Sequence, residues 1–329
     1  MYIVTGGAGF IGSNIVAALD RRGDDVVVVD WLGTGDHKWR NIAKRRLRDI
    51  IQPDRIERFL EENASEISGI FHMGAISTTT EVDVDLIVSN NVNLSLALWK
   101  ACTRLGIPFV YASSAATYGN GDHGFEDRFD DRFLSNLRPM NAYGWSKHLF
   151  DRMVLGAIDR KEKTPPVWAG LKFFNVYGPN EYHKGGQRSV AVQLYSQIKE
   201  GRKVALFRSD NPKYEDGGQL RDFVWVGDCV NVALWAMSGE CKRSGLYNVG
   251  SGTARSFREK AEIIFRSTGI PEDIRFIDLP DGLRGKYQYY TCATLENLRA
   301  AGYRRPVTTL EDGLRLYIDS YLGTADPYI

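Results

Sequence analysis

Apolar residues recur with two different periods along the first half of the chain. Short unbroken runs alternate with longer stretches in which they return every three to four positions. The runs opening at Met1 and at Val26–Asp30, with Gly69–His72, Phe109–Ser113 and Val167–Phe174, read as buried strands. Between them Ile11, Ile15, Val16 and Leu19 predict a helix over Ile11–Arg22, and Leu86–Leu105 and Tyr143–Ile158 read as helices. Trp39–Asn63 reads as helix-rich, its Lys44-Arg45-Arg46 run a solvated face. Strands alternating with helices predict an α/β fold with a Rossmann-type, doubly wound parallel sheet.

After Asn175 the alternation fails. Gly178-Pro179 and Gly185-Gly186 bracket a loop, Val190–Glu200 reads as a helix, and Asn211–Gln219 is polar and turn-rich. Phe223–Val226 and Cys229–Met237 resemble a return to the sheet unit, and no internal repeat or low-complexity tract is present. The expected division is a Rossmann unit of residues 1–174, 223–250 and 297–312, and a smaller, discontinuous α/β unit of 175–222, 251–296 and 313–329. Ligands of such sheets sit outside the carboxyl ends of the strands.

The first break in the pattern carries chemistry. Thr5-Gly6-Gly7-Ala8-Gly9-Phe10-Ile11-Gly12 lies between a strand and a helix, and Asp30 ends the second strand 18 residues beyond Gly12. Glycines admit a turn and a close backbone approach, and the helix start presents N–H groups to an anion. In this context the loop predicts a dinucleotide pyrophosphate.

Composition narrows the partners. Net charge is +1, from 42 basic and 41 acidic residues in 329, which suggests neither nucleic acid nor a membrane surface. Cys102, Cys229, Cys241 and Cys292 form no CxxC pair and the five histidines form no HExxH, so no structural metal and a reduced, cytoplasmic compartment are expected. The sequence begins in an apolar run read as a core strand, so no signal peptide is expected, and no apolar run reaches membrane-spanning length.

Tyr143-Gly-Trp-Ser-Lys147 puts a phenol and an ammonium on one helical face. The ammonium's charge is expected to lower the phenol's pKa, so that the tyrosine exchanges a proton with an alcohol near neutrality. Tyr195 and Lys199 repeat the spacing. Context separates the two pairs: Ser114, at the end of a predicted strand, lies 29 residues before Tyr143, whereas Pro166 holds that offset from Tyr195. A hydroxyl beside the phenol would share the substrate oxygen of a hydride-transfer site. Tyr143 is therefore the expected catalytic residue and Tyr195 a structural one.

With the glycine loop, Asp30, Ser113-Ser114 and Tyr143…Lys147 in this order, the chain resembles the extended short-chain dehydrogenase/reductase family over nearly its whole length. Phe174-Asn-Val-Tyr-Gly-Pro179 and Arg221-Asp-Phe-Val-Trp-Val-Gly-Asp228 are similar to that family's segments flanking a nucleotide-sugar site. Tyr111-Ala-Ser-Ser-Ala-Ala-Thr-Tyr-Gly119, Ser77-Thr-Thr-Thr-Glu81, His183-Lys-Gly185 and Leu298-Arg-Ala-Ala-Gly-Tyr303 resemble the branch that epimerises C6 of an ADP-linked heptose for the lipopolysaccharide inner core.

The resemblance implies an isomerase with bound NADP, an ADP-heptose substrate and a homo-oligomer such as a pentamer. It implies Tyr143, Lys147 and Ser114 in the active site, with Lys184 as a second acid/base. Oxidation at C6 gives a ketone that must present its other face to the same hydride, so its oxygen moves to a different proton donor. Toward the cofactor it implies Gly6, Gly9, Phe10, Ile11 and Gly12 at the pyrophosphate, and Asp30, Trp31 and Lys38 at the adenosine end. Asp49-Ile50 then faces adenine, Gly74, Ala75, Ile76, Ser77 and Asn90 the ribose–nicotinamide side, with Val176 also in contact. Toward the substrate it implies Ser114, Asn175, Lys184, Gly186, Gln193, Phe207, Arg208, Ser209, Asp210, Arg221 and Tyr287. Charge and fork geometry make Arg221 the best phosphate partner, an ion pair with Asp222 being its alternative. A solvated loop lysine is the alternative for Lys184.

The chain departs from that branch in places. Trp31 replaces a small polar residue, Pro53 stands near a missing lysine, Met73 replaces a glutamate, and Gly186 and Gln193 replace polar residues. A carboxylate after the second strand favours NAD by repelling a 2′-phosphate, whereas Lys38, with Arg40 or Lys44, would offset it. A UDP-hexose 4-epimerase type, needing no Lys184, and a non-catalytic dinucleotide sensor, needing only the glycine loop, are the rival functions.

Overall fold

The structure, a computed structural model, describes residues 1–35, 37–280 and 287–329. The apolar runs of the first half become β1 (Tyr2–Thr5), β2 (Val26–Val29), β3 (Asp49–Ile51), β4 (Gly69–His72), β5 (Phe109–Ser114) and β6 (Trp168–Phe173). With β10 (Gly245–Val249) they form one parallel sheet in the order β10-β6-β5-β4-β1-β2-β3. A parallel sheet is covered on both faces, which is why its strands read as unbroken apolar runs rather than alternating ones. Val26–Val29 are all buried.

The connecting helices are α1 (Phe10–Arg21), α2 (Ile56–Asn63), α3 (Val84–Ile87), α4 (Leu94–Leu105), α5 (Asp131–Leu134) and α6 (Ala142–Asp159). Two expectations need correction. Trp39–Asn63 is not helical throughout: besides α2 and the 3₁₀ turns Trp39–Asn41 and Pro53–Arg55, it holds β3 at the sheet edge. The predicted helix Leu86–Leu105 is interrupted by a π-helical stretch, Val88–Asn93. That stretch carries the buried Asn91, whose side chain bonds Ile76 N, Ile76 O and Ser146 Oγ.

Beyond β6 the chain builds β7 (Asn175–Tyr177), α7 (Val190–Lys199), β8 (Val204–Phe207) and β9 (Leu220–Trp225). They are followed by α8 (Val226–Met237), β11 (Ala254–Ser256), α9 (Phe257–Thr268), β12 (Ile274–Ile277), α10 (Glu296–Ala300) and α11 (Leu310–Tyr317). β9 does not rejoin the large sheet; it pairs with β7 and β11 in a three-stranded sheet, while β8 pairs with β12. Cys229–Met237 is helical, and α8 packs on α1. One apolar core surrounds the large sheet, and a second gathers Leu194, Tyr195, Ile198, Phe223, Ile264 and Tyr317. Among the described residues no helix is long and apolar enough to cross a membrane, and no group of three or more His, Cys, Asp or Glu could hold a metal ion.

Candidate active site

The glycine loop closes the carboxyl end of β1. Gly6 has φ +63°, and a Cβ there would stand 2.6 Å from Gly74 N and Cα; a Cβ on Gly12 would stand 2.1 Å from Gly6 O. Both contacts are impossible for any side chain, so the loop and the Met73–Gly74 turn meet backbone to backbone. Thr5 Oγ1 locks that meeting: it accepts from Gly74 N and lies 2.6 Å from His72 Nδ1. Burial, then the nearby Lys147 charge, holds His72 at a pKa of about 3, so the ring is neutral. α1 starts at Phe10 after Gly9, with no side chain capping its first amides.

A cavity of about 420 Å³ opens at this helix start, lined by Gly6, Gly9, Phe10, Ile11, Gly12, Gly74, Ala75 and Ser77 and reaching Ser114, Tyr143, Lys147, Val176 and Lys184. A neighbouring recess of about 210 Å³ is lined by Asp30, Trp31, Lys38, Pro53, Ile76 and Asn90. Asp30 Oδ2 accepts from Ala8 N at 3.0 Å, and its Oδ1 takes the Lys38 ammonium at 2.6 Å. The backbone cradle, the free helix amides and the adjoining recess fit a dinucleotide, with pyrophosphate at Gly9–Gly12 and a ribose at Asp30.

Asn90 lines the Asp30 recess together with Gly74, Ala75 and Ile76, and its amide donates to Leu86 O. Two sequence assignments change here. Asp49 does not line the recess: it pairs with Val27, two positions short of the strand end, and accepts from Ile50 N, leaving Pro53 and Ile56 at the recess wall. Lys44 is drawn away to Asp326 and Tyr328 O, so it does not share Lys38's task. Arg40 stacks over Trp39.

Ser114 ends β5, and its Oγ accepts from Ala116 N. Asn141 caps α6 through Gly144 N, placing Tyr143 and Lys147 one turn apart over the end of β5. Burial pushes the Tyr143 hydroxyl up, and a hydrogen bond with Ser114 opposes that rise. The expectation that Lys147 depresses the phenol is corrected: burial dominates, and Ser114 supplies the opposing influence. Burial lowers Lys147 to a pKa of about 8, against the pull of Asp151.

Asp151, missed in the sequence, is the centre of a fully buried network. It accepts from Tyr111 OH at 3.0 Å, Ser113 Oγ at 2.8 Å and Lys172 Nζ at 2.7 Å, and Lys172 also donates to Thr117 Oγ1. Thr117 donates in turn to Ser114 O, so the network grips Ser114 from both sides. The available signal was spacing: Asp151 follows Lys147 by one more turn of the same face.

Lys184 enters from another element, the 3₁₀ turn Tyr182–Gln187, with its Nζ 5.8 Å from the Phe10 ring centre. Burial lowers its pKa, and Glu181 opposes. His183, also missed, lines the same cavity; burial, then Lys184, holds it at about 4.

The remaining candidates divide. Arg221 is buried between the rings of Tyr287 (5.2 Å) and Phe257 (5.6 Å), and Phe207 stands edge-on to Tyr287. The alternative Arg221–Asp222 pair is not formed: Asp222 accepts from Ser251, Gly252 and Ala293 N–H groups. Asn175 Oδ1 accepts from Thr291 Oγ1 at 3.4 Å. Arg208 turns outward to Asp278, Ser209 N donates to Asp216, and Asp210 N donates to Tyr289 OH. Gln193 donates to Arg188 O and Gly186 is exposed; neither lines the Tyr143 cavity. Tyr195 lies in the second core. A larger cavity, about 840 Å³, lies between α4 and α6 and meets none of this chemistry.

The sequence profile of the NAD dependent epimerase/dehydratase family matches residues 2–250. The chain is 46% identical to the ADP-L-glycero-D-manno-heptose-6-epimerase of Nitratidesulfovibrio vulgaris strain DP4, over all of both chains. Among solved structures it is similar to the Helicobacter pylori ADP-L-glycero-D-manno-heptose-6-epimerase, with TM-score 0.81, 29% identity, and coverage of 97% of this chain and 95% of that one. It is also similar to the Thermus thermophilus UDP-glucose 4-epimerase in complex with NAD, with TM-score 0.71 and 27% identity over 97% of each. A glycine cradle, a Ser114–Tyr143–Lys147 cluster and these likenesses place the chain in the NAD dependent epimerase/dehydratase family, among its ADP-L-glycero-D-manno-heptose-6-epimerases.

Proposed function

We infer that the chain is an isomerase that inverts C6 of the heptose in ADP-D-glycero-D-manno-heptose, using a resident nicotinamide dinucleotide. The observation that carries this reading is the shared cavity: Tyr143 on α6 and Lys184 on the Tyr182–Gln187 turn line the same space from different elements. Where the ketone turns over and its oxygen takes a second position in the cavity, a second proton-exchanging group is needed there, and Lys184 is placed to be it.

In this reading Tyr143 takes the C6 hydroxyl proton in one orientation, with Ser114 sharing the oxygen. Lys184, its ammonium destabilised by burial, exchanges the proton in the other. Lys147, cationic below a pKa of about 8, lines the same cavity as Tyr143, and the Ser114 hydrogen bond is what eases charge onto the phenol. The dinucleotide supplies a hydride acceptor and returns the hydride, so no net redox occurs. Arg221, clasped by Tyr287 and Phe257, is proposed to meet the substrate diphosphate. The resident cofactor is proposed to be NADP, because Lys38 already compensates Asp30 at the recess.

Incubating the purified protein with ADP-D-glycero-D-manno-heptose and following the C6 proton by NMR tests the reading; formation of the L-glycero epimer is expected. Inversion of a UDP-hexose at C4 instead would establish the rival. Mass analysis of the nucleotide released on denaturation distinguishes NADP from NAD.

A further inference from the structure

Asn180 is fully buried and holds a left-handed backbone, φ +73°, which asparagine tolerates better than most residues do. Its Nδ2 donates to Ser13 Oγ at 2.9 Å and to Asn41 O at 3.1 Å, and its Oδ1 accepts from Ile329 N at 3.1 Å. Ser13 lies in the first turns of α1 and donates to Phe10 O. Asn14 Nδ2 bridges the same two elements, donating to Phe10 O and to Pro179 O. The segment before Lys184 is thus bonded to the helix start that closes the glycine loop.

A second bridge runs beside it. Asn41 Nδ2 donates to Ala8 O of the glycine loop at 2.8 Å and lies 3.1 Å from His183 Nδ1. Between the bridges, Lys184 N donates to Glu181 O. The Glu181 carboxylate accepts from Gly178 N and from Ser189, which closes the turn at both ends, and from Tyr317 OH on α11. A turn so closed moves as a unit, and its register against the glycine loop is set by Asn180 and Asn41.

Resting on the reading of Lys184 as the second acid/base, we propose that Asn180 is a positioning residue that registers Lys184 against the glycine loop. Its side chain does more than permit a left-handed turn, for which glycine would serve better. The proposal therefore separates from a purely local role by one substitution: Asn180→Gly keeps the backbone and removes only the three side-chain bonds.

The test loads the protein with reduced cofactor, supplies the ADP-heptose C6 ketone for a single turnover, and measures the ratio of the two epimers formed. Wild type is expected to give both. Lys184→Met is expected to give only the epimer whose oxygen Tyr143 protonates, and Asn180→Gly to skew the ratio the same way, slowing epimerisation about a hundredfold, the scale of a displacement near 1 Å. Nucleotide content is expected to stay at the wild-type level, while amide hydrogen exchange across Tyr182–Gln187 quickens. Ser13→Ala, which removes one partner without touching the turn, is expected to skew the ratio less and carries the same criteria if Asn180→Gly does not fold. A wild-type ratio in Asn180→Gly beside a skewed one in Lys184→Met overturns the coupling, as does equal slowing toward both epimers. A wild-type ratio in Lys184→Met overturns the base assignment itself, and the proposal with it.

Discussion

Tyr143 and Lys184 face one cavity from supports of different kinds. Tyr143 stands on an 18-residue helix packed on the central strands, above the fully buried Asp151–Lys172 pair. Lys184 stands on a six-residue 3₁₀ turn, tied down by asparagine side chains and by Glu181. The first support is a helix held against strands paired along their whole length. The second is bonded to the glycine loop and α1 through Asn41, Asn14 and Asn180, and to α11 through Glu181. A one-base enzyme needs only the first kind of support; an enzyme whose ketone oxygen moves to a second proton donor needs the second as well.

The largest effects should come from breaking either side at its chemistry. Tyr143→Phe and Lys184→Met are each expected to lower epimerisation by about two to four orders of magnitude, the usual worth of a general acid–base group. Both should retain bound nucleotide, assayed by mass after denaturation. Tyr195→Phe, in the second core, is the control and should be nearly silent in activity. Full activity in Lys184→Met would erase the comparison and leave a one-base enzyme.

The supports themselves should differ in stability. Lys172→Met leaves Asp151 buried without its cation and is expected to cost about 3–5 kcal/mol of unfolding free energy, measured by denaturant titration. Adding Asp151→Asn should recover much of that loss, since a neutral side chain can still meet Tyr111 and Ser113. Recovery would show that the pair's two charges matter chiefly to each other.

At the dinucleotide end the contrast is between two charges in contact. Asp30→Ala frees Lys38 for a 2′-phosphate and should shift the NADP/NAD affinity ratio toward NADP by about tenfold, near 1.4 kcal/mol. Lys38→Ala should move it the opposite way. Unchanged ratios by calorimetry in both variants would place the adenosine ribose elsewhere.

What the sequence made legible follows the same division. The large sheet and its glycine loop announce themselves through local pattern: unbroken apolar runs, helical spacing and a turn that only glycine allows. Ser114, Tyr143 and Lys147 are readable together because one strand end and one helix face carry them. β3 escaped notice because three residues at an exposed edge have no burial period to reveal them. Lys172 meets Asp151 across 21 positions, and Asn180 meets Ser13 across 167; such contacts exist only once the chain has folded.

The smallest expected effect concerns a third buried lysine. Lys260 on α9 sits 3.6 Å from the Phe223 ring centre and 4.9 Å from that of Tyr177. Burial lowers its pKa from the ordinary 10.5 to about 7, against the pull of Glu181. Unlike Lys172, it forms no salt bridge with a carboxylate among the described residues, and ring faces replace one. Its proton is held less tightly in the folded than in the unfolded chain, so between pH 7 and 10.5 the unfolded state binds more protons and stability rises with pH. Lys260→Met removes that dependence and is expected to stabilise the protein at neutral pH by about 1 kcal/mol. The advantage should shrink as pH rises from neutral toward 10.5, read from denaturant midpoints of the two proteins side by side. An advantage that stays constant with pH, or a variant less stable than wild type at neutrality, would mean that the ring faces hold the ammonium as firmly as Asp151 holds Lys172.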